Sequence, residues 1–160
     1  MDATHIHLLL NHVPVLAVPG GLALLLWAAA RRNSEVMRVA MAVFIVGAAV
    51  AIPVYLTGEP AEETVERIAP ADAFVERHED AAGLALTSAI ALGVVALGAL
   101  AVQRVRPRFT AHAGVAAGAV AVVAFTTLAW TASLGGQIRH TEIRAGSAAP
   151  VGAVNRDHDD

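Results

Sequence analysis

Apolar positions along the 160 residues collect into four long runs, with polar positions confined to the short intervals between them. The runs cover 8–30, 36–56, 81–102 and 112–134. Each reaches the roughly 20 residues that an α-helix needs to cross the hydrocarbon core of a bilayer. A soluble four-helix protein would carry a polar residue at every third or fourth position, and these runs carry almost none. The pattern predicts an all-α integral membrane protein, a four-helix up-down bundle over residues 1–144. A disordered acidic tail over 145–160 is expected to follow it.

Punctuation refines the elements. Asp2, His5 and His7 precede the first run where a secretory signal would have a cationic segment, so it reads as a span. Pro14 is expected to tilt or kink this span close to His12. Span two should end near Thr57 and Gly58, with glycine in the C′ position. A short surface helix is expected from Pro60, with acids in its first turn, until Pro70 breaks it. The next helix, starting over 70–72, should run without a break into span three and carry His78 and Glu79 above the membrane edge. Span four is expected to stop at Gly135 and Gly136, with 137–144 folding back over the mouth of the bundle.

Charge gives the orientation. All eleven basic residues are arginine. Arg31, Arg32 and Arg38 sit between spans one and two, and Arg104, Arg106 and Arg108 between spans three and four. Eight acids fall between spans two and three, against Arg67 and Arg77. The positive-inside bias makes the arginine loops cytoplasmic and turns both termini and the acidic loop outward, as in a multi-pass protein of a bacterial inner membrane. A net charge of −3 without a basic face argues against nucleic acid as a partner. The absence of cysteine excludes disulfides, thiolate metal sites and iron–sulfur clusters.

This topology gathers His5, His7, His12, His78 and His140 at the outward end, together with Glu63, Glu79 and Glu142. His12 lies about 7 Å inside the apolar run, counting 1.5 Å per residue. Ionisable groups inside a span are costly and seldom idle, which makes His12 the leading candidate. Spans one and three are diagonal in an up-down bundle, so His12 and His78 could clamp a haem iron. Their levels differ by about 10 Å on helix geometry, which leaves His7 or His140 as alternative partners of His78. Arg139 and Arg144 would pair with haem propionates. A non-haem Zn, Fe or Mn ion would instead draw on His7, His12, Glu63, His78, Glu79 and His140. Small residues beside His78 (Ala81, Ala82, Ala85 and Ala89) and the Gly114/Gly118 pair suit either close helix packing or space for a flat cofactor. No nucleophile elbow or phosphate-binding loop is present. The span centres are too featureless for an ion pathway, with Thr87, Ser88, Thr126 and Thr127 as mild exceptions.

The strings Leu-Asn-His-Val-Pro (10–14), Tyr-Leu-Thr-Gly-Glu-Pro-Ala-Glu-Glu (55–63), His-Glu (78–79) and Leu-Gly-Gly-Gln-Ile-Arg-His-x-Glu-Ile-Arg (134–144) carry a resemblance. Together they resemble a family of small four-span bacterial membrane proteins of unknown function and, more distantly, cytochrome-b-like haem bundles. The resemblance implies a four-helix membrane domain and nominates His12, His78 and His140. It fits at most one haem, because the histidines lie at one face. Three functions remain open. The chain could be a b-type haem electron-transfer protein, or a small subunit that works with membrane or periplasmic redox partners or as a homo-oligomer. It could hold a single non-haem metal ion, or it could be a cofactor-free structural or assembly subunit. An electron-transfer or accessory role fits better than a stand-alone enzyme.

Overall fold

The computed structural model describes residues 2–58, 60, 72–140 and 143–144, with Asp72, Ala73 and Arg139 described by their backbone alone. The expected surface helix after Pro60, Glu63, Glu142 and the tail over 145–160 lie outside the described residues. The described chain is helical: α1 (Ala3–Leu10), α2 (His12–Arg31), α3 (Ser34–Leu56), α4 (Asp72–Val105) and α5 (Thr110–Arg139), with a 3-10 turn at Pro107–Phe109. There is no strand among the described residues. Four stretches are long and apolar enough to cross a membrane: Ala3–Arg31, Ser34–Leu56, Phe74–Val105 and Pro107–Ile138.

The first span is continuous from Ala3 to Arg31, with a one-residue turn at Asn11, itself in the right-handed helical conformation, between α1 and α2. Pro14 has no N–H to offer the Leu10 carbonyl four residues back, so the helix is weakest one turn before the proline. At its other end α2 closes in a Schellman turn, with Asn33 N–H on Ala28 O at 2.9 Å and Arg32 N–H on Ala29 O at 3.3 Å. Arg32 takes the left-handed conformation there, at φ 52°. Asn33 then caps α3 by accepting from the Glu35 and Val36 amides at 3.0 and 3.1 Å. Two residues thus reverse the chain. α3 ends at Leu56 followed by Thr57, as expected. α4 is unbroken from Asp72 over 34 residues, about 51 Å at 1.5 Å per residue, well beyond the ~30 Å of a hydrocarbon core. One expectation fails: α5 does not stop at Gly135 and Gly136 but runs another turn to Arg139. Glycine costs a helix only about 1 kcal/mol, too little to end one whose neighbour packs against that turn.

α2 packs between α3 and α5, and α4 packs between the same two, so α2 and α4 lie across from each other. Size sorts the residues. The buried set is mostly alanine, from Ala40 and Ala48 in α3 through Ala81, Ala85, Ala89, Ala96 and Ala99 in α4 to Ala117, Ala121 and Ala124 in α5. Large apolar side chains such as Leu16, Leu26, Val46, Val94 and Val115 face outward. This is the arrangement expected where lipid offers no hydrophobic drive and helices associate through close van der Waals contact. At one close crossing Gly21 of α2 lies under the fully buried Phe44 of α3, where an added Cβ would sit 2.5 Å from Phe44 Cε1. Between α4 and α5 the Ser88 and Thr127 hydroxyls meet at 2.7 Å, each also bonded to its own helix, so neither enters the core unpaired. Gly114 and Gly118 accommodate Met37 and Leu25, so this pair serves close packing.

Gly20 and Gly21 give an internal comparison, because a Cβ at Gly20 meets nothing within 4 Å. Gly21→Ala should destabilise the detergent-solubilised protein by about 1–3 kcal/mol through overpacking. Gly20→Ala should be neutral or stabilising by up to about 1 kcal/mol. Thermal unfolding followed by circular dichroism would separate them, and equal losses would contradict the packing described.

Candidate functional site

The end of the molecule where α1 and α4 begin and α3 and α5 finish holds two imidazoles in equivalent settings. His7 lies on α1, and its Nδ1 is 2.9 Å from the Val54 carbonyl near the end of α3. His78 lies on α4, and its Nδ1 is 3.0 Å from the Thr131 carbonyl near the end of α5. A carbonyl oxygen only accepts, so in both rings Nδ1 carries a proton and Nε2 is the nitrogen left for a further partner. Neither Nε2 is hydrogen-bonded to another described residue. Both rings are half-buried and within electrostatic reach of each other.

A glycine stands four residues beyond each accepting carbonyl, Gly58 after Val54 and Gly135 after Thr131. A helical side chain there would cover the carbonyl one turn back. A Cβ on Gly135 would lie 3.0 Å from His78 Cε1, and one on Gly58 would lie 3.7 Å from His7 Cε1. Gly135 is therefore the stricter requirement. It is also the residue at which span four was expected to end, so its use is to admit the His78 ring rather than to stop the helix.

Both histidines open core-facing stripes. His7 and Asn11 continue the line Pro14, Val18, Gly21, Leu25 and Ala28, all buried in α2. His78 continues Ala81, Ala85, Leu92, Ala96 and Ala99, buried in α4. Asn11 adds an orphan: its Oδ1 is buried with no hydrogen-bond partner. A buried acceptor left without a donor costs about 1–3 kcal/mol, and it lies one helical turn from His7.

The other candidates are spread out. His12 is exposed on the outside of α2, one residue off the stripe that carries His7, so His7 and not His12 stands with His78. Glu79 and His140 are exposed, with the His140 amide bonded to Gly136 O at 2.9 Å. Arg144 folds back as expected, but onto protein. Its Nε and Nη2 donate to Gln137 O and Ile138 O at 2.8 and 3.1 Å, and its guanidinium covers the Phe74 ring at 4.3 Å. It closes the end of α5 and ties it to α4. Among the described residues no three of His, Cys, Asp and Glu come together as a metal-ion site.

Comparison with known protein families, with curated proteins and with solved structures finds no match to this chain. The site therefore stands on its own geometry. The pairing of a histidine near the start of one span with a glycine at the end of the next was present in the sequence, at His7/Gly58 and His78/Gly135. Asn11, between two candidate histidines, was passed over because it carries no charge.

The positioning of His7 depends on a short helix held by Asp2. The Asp2 carboxylate accepts from the His5 amide at 2.9 Å and from the His5 ring at 2.7 Å. These bonds, the amide first, hold its carboxyl below the ordinary carboxylate range. A lowered pKa means the cap is fully present above about pH 4, the unperturbed value, and is lost as pH falls through the folded one. Hydrogen exchange at the His5 and Ile6 amides should accelerate over that acid window relative to α2. Asp2→Ala should show the fast exchange at neutral pH, and an unchanged exchange rate would deny the cap any part in holding α1.

Proposed function

We propose that this is a multi-pass membrane protein with a bis-histidine centre, most simply one b-type haem, held by His7 and His78 at its outward face for electron transfer. The observation that carries the reading is the matched pair of tautomers. Histidines that ligate metals almost always donate the other ring N–H to a carbonyl or carboxylate, which orients the ring and raises its basicity. His7 on α1 and His78 on α4 do so identically, each from the start of its helix to a carbonyl near the end of the neighbouring one. Two nitrogens complete a haem iron, whose other four ligands are its own, whereas a bare ion needs more than two protein ligands. That preference follows from the lack of a third His, Cys, Asp or Glu among the described residues.

The membrane setting rests on four helices long and apolar enough to span, and on exposed Trp27 and Trp130 towards opposite ends, as interfacial aromatics stand. In the up-down arrangement both termini and the histidine end face outward, into the periplasm of a Gram-negative cell, with the arginine loops in the cytoplasm. A bound haem would supply one-electron Fe(III)/Fe(II) chemistry. The protein's part is to orient both rings through their Nδ1–H bonds to Val54 O and Thr131 O, which leaves each Nε2 for the iron, and to cover that end with the Phe74–Arg144 contact. Arg139 is the other arginine expected to serve a propionate, since Arg144 is engaged.

A cofactor-free structural role is the second reading, favoured by one observation. The two imidazole–carbonyl bonds tie α1 to α3 and α4 to α5 whether or not anything is bound. An optical spectrum of detergent-purified protein, expressed with ample haem and then reduced with dithionite, separates the two. The haem reading expects Soret and α bands that vanish in His7→Ala and His78→Ala and survive in His12→Ala. A wild-type protein with no bands would leave the imidazoles as structural ties. Bands lost in His12→Ala and kept in His7→Ala would reassign the ligand.

A further inference from the structure

At the opposite end a different feature combines apolar shape with positive charge. A groove of about 280 Å³ runs along the outside of α2 and α3, lined by Ala17, Val39, Ala42, Val43 and Val46. Its lining is apolar, and Ala17 and Ala42 make it concave. Val39 to Val46 lies about 7–18 Å from the start of α3 at 1.5 Å per residue. With the first turn of α3 in the headgroup region, that range corresponds to about one leaflet, ~15 Å of hydrocarbon, on the side of the α2–α3 turn. The turn carries Arg31, Arg32 and Arg38, all exposed. Arg31 lies two heptads beyond Ala17, on the same face of α2 as the groove.

The ion pairs are uneven. Glu35 holds Arg38 at 3.0 Å, while Arg31 and Arg32 have no ion pair among the described residues. Arg32 also occupies the left-handed position that glycine fills at least cost. Two unpaired guanidiniums at a membrane surface, directly above an apolar furrow one leaflet deep, match a molecule with a phosphate at one end and an acyl chain at the other.

We propose that this groove binds one anionic phospholipid, its phosphate on Arg31 and Arg32 and one acyl chain along Ala17, Val39, Ala42, Val43 and Val46. The proposal rests on the membrane reading and is independent of the haem. Guanidinium recognises phosphate through paired N–H donors, and basic clusters beside spans on the arginine side favour anionic lipid. Arg38 contributes less, because Glu35 already neutralises it.

Native mass spectrometry of the full chain in non-ionic detergent, with added phosphatidylglycerol or phosphatidylcholine, tests this. Wild type should retain one phosphatidylglycerol at least about tenfold more strongly than phosphatidylcholine, a difference of about 1.4 kcal/mol. Arg31→Gln with Arg32→Gln should abolish the preference, whereas Arg104→Gln should keep it. Ala42→Phe, which fills the furrow, should remove binding with helicity unchanged, and Val46→Phe serves if Ala42→Phe does not fold. Equal retention of both lipids by wild type would overturn the proposal. So would a preference that survives Ala42→Phe, or one that Arg104→Gln loses as fully. Flotation of the protein with vesicles checks the membrane reading separately, so a chain that floats without lipid preference loses only this site.

Discussion

Everything in this molecule depends on how closely four apolar helices can approach one another. In lipid the apolar surface of a helix gains nothing by hiding from its solvent, so association rests on contact distance and on the few polar groups that must find partners. Alanine and glycine on the inward faces permit that approach, as where Phe44 lies over Gly21. The large side chains left outside then present to lipid the surface that a soluble protein would bury. The inversion of size is a consequence of the solvent, and it frees the inward stripe to carry a small number of chemically distinct residues at one end.

Those residues are His7, Asn11 and His78. The same smallness that brings helices together also exposes carbonyls that a larger side chain would cover. Gly58 and Gly135 each uncover a carbonyl one turn back, and an imidazole from the neighbouring helix takes it. The helix backbone thus acts as the orienting partner of each ring. A carboxylate could orient a ring more strongly, but it would bring a charge into the apolar end of the bundle. A backbone carbonyl fixes the tautomer without one.

Much of this was legible in the sequence. Run length located all four apolar helices, because nothing competes with a stretch of twenty apolar residues. The end of α3 at Thr57 and the continuous helix through His78 followed from local rules, whereas Gly58 is itself helical and not the left-handed C′ residue its position suggested. The end of span four did not, because the glycine pair there accommodates a ring and is overridden as a stop by packing. The choice of His12 over His7 shows the same difficulty. Depth in an apolar run measures distance along the helix axis, whereas a site is set by the angle around it. His12 is deeper, but it is turned by one residue out of the stripe Pro14, Val18, Gly21, Leu25 and Ala28. A count of 3 and then 4 back from Pro14 reaches Asn11 and then His7, which the sequence would have permitted had the inward face been known.

The two ends of the bundle now differ in a way that bears on how they work. At the histidine end three polar residues, His7, Asn11 and His78, lie on the inward stripes among helices, while His12, Glu79 and His140 stand outside. At the arginine end the charges stand outside, around a turn built from Arg32 and Asn33, and the inward positions are held by Leu25, Met37 and Gly114. Gln103 is the exception, since both its amide atoms are buried without a partner at that end. Inward polarity suits holding a ligand between helices, and outward charge suits orienting the chain and meeting headgroups. A single stripe of small residues joins the two, so a change in helix spacing at either end must be absorbed by contacts such as Phe44 on Gly21. Cores packed this closely shift between discrete arrangements rather than deform smoothly. The rigidity that fixes the two imidazoles is therefore a property of the whole length of the bundle and not of the site alone.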